Sequence, residues 1–182
     1  AIIERFSEDI DIRFEPPPDH ALKTGKNHDK PAHIAARKDY FDWLAGHIQI
    51  SGLIGVTRAT DFDDTSYRNG GIVLNYPSVT QPLPGVKDGI LLEVGFDLTA
   101  PNAPRTISSW AMDAARKAGL AVIDNRAVDV PCYALGYTLV EKLQTVSTKY
   151  RKLQETGNFA KNFLRHYYDI YCLLEQAEVQ AF

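Results

Sequence analysis

Between Ser7 and Phe14 polar and apolar residues nearly alternate, which is the period of a half-buried strand. Residues two apart on a strand share a face. Asp9 and Asp11 therefore lie on one side, and Ile10 and Ile12 on the other, facing a core. The prolines of Glu15–His20 end this strand, because proline lacks the backbone donor that a sheet needs. Leu22 to Lys30 is polar and basic and reads as a mobile loop. Pro31 suits the first turn of a helix. Ile34, Tyr40, Phe41, Leu44 and Ile48 recur at roughly helical spacing, which predicts a helix over 31–50 that ends at Ser51-Gly52. Residues 54–60 and 72–76 read as two strands of an antiparallel hairpin, joined through the acidic turn Asp61–Asp64 and opened again by Gly70-Gly71. Pro77–Gly89 is loop. Residues 89–98 form the most apolar segment, a strand expected at the centre of the sheet. A helix over 107–118 follows, with Ser or Thr near its start as caps and Gly119 as its stop. A further strand covers 128–135.

From Thr138 the period becomes helical and stays so. Leu139, Leu143, Val146, Tyr150 and Leu153 form one apolar stripe, Gly157 breaks it, and Phe159, Phe163, Tyr167, Ile170, Tyr171 and Leu174 form a second. Two such helices joined by a short turn pack as an antiparallel pair. The expected fold is α+β: a mixed β-sheet core with flanking helices over 1–136, followed by a C-terminal antiparallel helical hairpin over 137–182.

Composition narrows the picture little. A chain of 182 residues is long enough for one full domain, or for one domain with a helical appendage, and its formal net charge of −3 argues against a generally basic, nucleic-acid-binding surface. No apolar run approaches a membrane span, and the opening residues do not read as a signal peptide. Cys132 and Cys172 form no metal-spacing motif, so a reduced, cytoplasmic setting is expected. The chain opens with Ala1 only a few residues before its first strand and holds a single methionine, Met112, which is expected of a fragment or processed form lacking an N-terminal piece.

The chemistry-bearing positions are acidic and fall on strands. Asp9 and Asp11 share a face, and two carboxylates so placed repel unless a cation lies between them. Oxygen ligands of this kind suit Mg²⁺, which takes one or two carboxylates together with substrate phosphates. A solvated strand face is the plainer reading. Glu93 shares a face with Gly95 and Asp97 on the apolar strand, where an unpartnered carboxylate is costly. Alongside Asp9 and Asp11 it would complete a site for one or two metal ions; otherwise it is solvated or pairs with a lysine. Lys142 lies beside the first helical stripe and either reaches a triphosphate as a point charge or is an ordinary surface lysine. Arg165 and Asp169 are four apart, nearly opposite the second stripe, and are placed for a solvated salt bridge. The density of Tyr167, Tyr168 and Tyr171 argues instead that both faces of that helix are in use, with Asp169 a candidate to act as a general base or to orient a hydroxyl.

Three runs carry a resemblance. Arg5-Phe6-Ser7-Glu8-Asp9-Ile10-Asp11-Ile12, Thr138-Leu139-Val140-Glu141-Lys142-Leu143 and Arg165-His166-Tyr167-Tyr168-Asp169-Ile170-Tyr171 resemble the motifs of the AbiEii/AbiGii-type nucleotidyltransferase toxins, in order and with similar separations. The resemblance implies a DNA polymerase β-like nucleotidyltransferase core with a helical domain. It implies Mg²⁺-dependent transfer of a nucleotide from an NTP to an RNA, such as tRNA, or to a protein, by the toxin of a toxin–antitoxin or abortive infection system with a cognate antitoxin. Asp9 and Asp11 match the metal-binding pair and Glu93 the third carboxylate. Lys142 matches the phosphate-contacting lysine, and Asp169 the acidic residue of the last motif; Ser7 and Arg165 fall among the nucleotide-binding positions. The family's Gly-Ser or Gly-Gly-Thr turn before the Asp-x-Asp strand is absent from this sequence, and Tyr137 stands where some relatives carry an acidic residue. Two other readings are a degenerate scaffold that binds antitoxin or RNA without catalysis, and an Asp-x-Asp glycosyltransferase, which predicts a longer α/β domain and leaves the helical hairpin unexplained.

Overall fold

A computed structural model describes residues 2–3, 9–79, 81, 88–160 and 162–182. The chain divides into two compact units, Phe6–Thr99 and Ala1–Arg5 with Ala100–Phe182.

The first unit is a four-stranded mixed sheet with one long helix. Its elements are β1 (Asp9–Phe14), α1 (Pro31–His47), β2 (Gly55–Ala59), β3 (Asn69–Asn75) and β4 (Ile90–Phe96). The strand order is β1-β4-β3-β2, so β1 lies at one edge. β1 runs parallel to β4, while β4–β3 and β3–β2 are antiparallel, the last being the hairpin expected from the sequence. The apolar β4 is indeed internal. One face of the sheet packs on α1: Tyr40, Phe41 and Ala45 meet Ile72, Leu74, Leu92, Val94 and Phe96. The rings of Phe41 and Phe96 lie 5.1 Å apart, and those of Phe14 and Phe96 4.7 Å apart. Only Phe14 of β1 joins this core. Ile10 and Ile12, expected to enter it, remain exposed at the sheet edge.

Residues 22–30, expected to be a mobile loop, are instead held by two arginines. The fully buried Arg37 donates to the carbonyl oxygens of Lys23, His28 (3.0 Å) and Ser66 (2.7 Å). Arg68 donates to the carbonyls of Thr24 (3.1 Å) and Gly25 (3.0 Å) and to the Asp29 carboxylate (2.7 Å). Asp64 shapes the other side, accepting from the backbone N–H groups of Ser66, Arg68 and Asn69 at 2.8, 3.1 and 3.0 Å. A polar composition thus conceals an ordered segment, because its carbonyls receive fixed guanidinium donors.

The second unit opens with β5 (Asn102–Ile107), α2 (Trp110–Lys117) and β6 (Ala127–Tyr133), with β5 and β6 forming an antiparallel ribbon. β5 was not expected: Pro104 and the scarcity of apolar residues hide it, and the ribbon accommodates proline by placing Pro104 opposite Pro131. The Ser109 hydroxyl caps α2 by accepting from the Met112 N–H at 3.1 Å, which sets its start at Trp110. Then come α3 (Leu135–Thr156), α4 (Arg165–Leu174) and the short α5 (Ala177–Gln180). Gly157 stops α3 in the left-handed conformation, φ 69°, that favours glycine. α3 and α4 pack together. The expected helical pair is present, but Phe159 and Phe163 precede α4.

Candidate active site

In the first unit the candidate carboxylates fall on two adjacent parallel strands. Asp11 pairs in register with Glu93, Asp9 with Leu91, and Arg13 with Gly95. Leu92, Val94 and Phe96 face α1, so Asp9, Asp11 and Glu93 occupy the opposite face. Registered neighbours on adjacent strands stand about 4.8 Å apart across the sheet, backbone to backbone. This placement suits carboxylates that share a cation. Asp11, 66% exposed, has the Arg13 guanidinium 3.9 Å away. Arg13 also donates to the carbonyls of Ile12 (3.3 Å) and Glu93 (3.5 Å). It can lie across β4 there because residue 95 is glycine: a Cβ at that position would stand 3.1 Å from Arg13 Nη1 and 2.5 Å from Asn69 Oδ1. Arg13 is the site neighbour that sequence reasoning missed; its signal was its position two beyond Asp11 on the same face. Among the described residues no group of three or more His, Cys, Asp or Glu side chains is gathered in a metal-holding arrangement. The donor chemistry fits a hard cation, with Asp11 and Glu93 side by side and Arg13 the cation already beside Asp11. Ser7, with the rest of Arg5–Glu8, lies outside the described residues.

The second unit brings Lys142 and Asp169 together. Lys142 Nζ lies 3.3 Å from Asp169 Oδ2, with side-chain exposures of 30% and 0%. The salt bridge drawn from spacing alone, Arg165–Asp169 on a solvated face, is corrected here: Asp169 is buried, its ion pair with Lys142 crosses from α4 to α3, and Arg165 is exposed. The apolar stripe of α4 is corrected with it. The residues of α4 that are buried are His166, Asp169 and Leu173, whereas Tyr167 and Tyr171 are 47% and 61% exposed. Tyrosine misleads periodicity, because its ring counts as apolar while its hydroxyl tolerates water. The expected α3 stripe is likewise turned: Leu143 and Tyr150 are about half exposed, while Lys142 and Lys149 are partly buried.

Lys149 also lies in this seam, two helical turns from Lys142. Its ammonium stands 2.8 Å from His166 Nε2. Burial, with the charges of Lys149, Lys142 and Arg165, pushes the His166 imidazole below its ordinary range, and the opposing pull of Asp169 is weaker. Burial and the charges of Arg165 and Lys142 also lower Lys149. Thr138 donates to the Ala134 carbonyl at 3.5 Å inside a helix that begins at Leu135.

A mixed sheet with carboxylates on adjacent parallel strands, in a chain that also carries a helix pair with a buried aspartate against a partly exposed lysine, defines an α+β protein built to meet cations and anions. The chain belongs to the AbiEii family: the family model described as "Nucleotidyl transferase AbiEii toxin, Type IV TA system" matches residues 1–181. That family is a nucleotidyltransferase toxin of a type IV toxin–antitoxin system. No curated protein and no solved structure matches the chain. No described helix is long and apolar enough to cross a membrane.

Proposed function

We propose that the protein is a Mg²⁺-dependent nucleotidyltransferase that moves a nucleotide from an NTP to an RNA acceptor such as tRNA, or to a protein. It acts in the cytoplasm as the toxin opposed by a cognate antitoxin. The observation that carries this reading is the fully buried Asp169 beside Lys142, inside a chain matched by the nucleotidyltransferase family over 1–181. A buried carboxylate is costly unless paired, and a fold keeps one where it serves a purpose. In this reading Asp9, Asp11 and Glu93 hold the metal. A Mg²⁺ ion held there would supply charge neutralisation at the phosphates and would make an acceptor hydroxyl more acidic. Lys142 holds the outer phosphates as a point charge, and Asp169 fixes its ammonium in place. Ser7 and Arg165 contribute to nucleotide binding.

The test incubates the protein with each labelled NTP, Mg²⁺ and total tRNA, alongside an Asp9→Ala/Asp11→Ala double variant. Label transfer is expected from the wild type and should fall by at least about a thousandfold in the variant, the scale of losing a metal-positioned electrostatic contribution. Absence of transfer from the folded wild-type protein overturns the reading.

A further inference from the structure

The α3–α4 seam holds more positive charge than the Lys142–Asp169 pair explains. Lys149 comes seven residues after Lys142, on the same side of α3. Its contact is the His166 ring, and not a carboxylate. With Lys149 donating to Nε2, the neutral imidazole carries its proton on Nδ1. That atom is buried and has no hydrogen-bond partner, in a residue only 5% exposed. The seam thus presents a partly buried ammonium, a buried N–H donor without an acceptor, and Lys142 two turns away. Arg165 adds its charge to those acting on Lys149 and His166. A buried donor left unmatched costs free energy. Two ammonium groups on one side of α3, with Asp169 taking up only the Lys142 charge, leave an excess of positive charge that an oxyanion would neutralise.

We propose that Lys149, held by His166, is a second phosphate-contacting cation beside Lys142, and that the seam takes a polyphosphate chain. This rests on the nucleotidyltransferase reading for the identity of the ligand, the triphosphate of an NTP, but not for the existence of the anion site. Lys149 meets one phosphate directly, and His166 is a positioning residue whose Nε2 keeps the ammonium in place.

The test uses inorganic tripolyphosphate and each NTP as probes on the whole protein, with calorimetry as the readout. Lys149→Gln is expected to weaken tripolyphosphate and NTP binding about tenfold, the scale of one charge-assisted hydrogen bond. Lys149→Arg should restore most of it. Lys152→Gln, which removes an exposed charge from the same helix, should change nothing. Independently of any variant, tripolyphosphate should protect Lys149 and Lys142, but not Lys152, from acylation of the wild type as read by mass spectrometry. The inference is overturned if the wild type binds no tripolyphosphate, if Lys152→Gln weakens binding as much as Lys149→Gln, or if Lys149 stays unprotected. Tripolyphosphate binding that depends on Lys149, without any nucleotide transfer, would sustain the anion site while refuting the enzyme. Transfer with an unchanged NTP affinity in Lys149→Gln would do the reverse.

Discussion

Single side chains decide how this chain is held. Asp64 is the clearest case. Burial pushes its carboxyl up, but donors from Arg68, Asn69 and Ser66 outweigh it and hold the group below the ordinary carboxylate range. The folded state therefore binds that proton less readily than the unfolded chain, and the stability so gained is present at neutral pH. It disappears as pH falls through the carboxylate range. Asp64→Ala should cost roughly 2 kcal/mol at pH 7, the scale of losing charge-assisted hydrogen bonds. Urea midpoints of variant and wild type should converge as the pH approaches the acid limit. His166 has the same sign for a different reason. Its folded imidazole resists protonation, so acid favours the unfolded chain once pH drops below the ordinary histidine range. His166→Gln should remove that part of the pH dependence, measured as unfolding midpoint between pH 8 and about pH 5.

At the scale of elements, periodicity read some parts of the fold and misread others for physical reasons. β4 was legible because a strand in the middle of a sheet, with five of its seven residues buried, leaves a nearly continuous apolar run. The β2–β3 hairpin was legible because its strands are short, apolar and separated by turn chemistry. β5 was not, since a ribbon strand with a proline and mostly exposed side chains has no buried face to advertise. Asp9, Asp11 and Glu93 could be placed on shared faces, but the register that sets Asp11 beside Glu93 is a tertiary fact. Lys142 and Asp169 were nominated by motif. Their mutual contact was not legible, because the α3–α4 seam is polar where the pattern expected tyrosine and leucine. This assignment of faces is testable. Leu173→Ala, in the seam and 2% exposed, should cost about 2–5 kcal/mol. Tyr171→Ser, on the outer face, should shift stability by no more than ~0.5 kcal/mol. Thermal melts of the two variants decide the matter, and equal losses would reverse the faces.

For the whole molecule, the family match runs across both compact units, so the chain is one inheritance and not two. The strand carboxylates belong to one unit and the Lys142–Asp169 pair to the other. Charge follows the same division of labour: acidic groups gather on strands 1 and 4, and cations line the helical seam. The position of β1 at the margin of the sheet has a consequence of its own. The Phe14 carbonyl accepts from the Asp97 N–H at 3.3 Å, which turns the backbone of Ile10, Ile12 and Phe14 toward β4 and that of Asp11 and Arg13 away from it. Along this strand the amide protons should therefore trade with heavy water in an alternating rhythm. Ile12 and Phe14 should retain their protons long after Asp11 and Arg13 have lost them, a residue-by-residue beat that amide-resolved NMR can record.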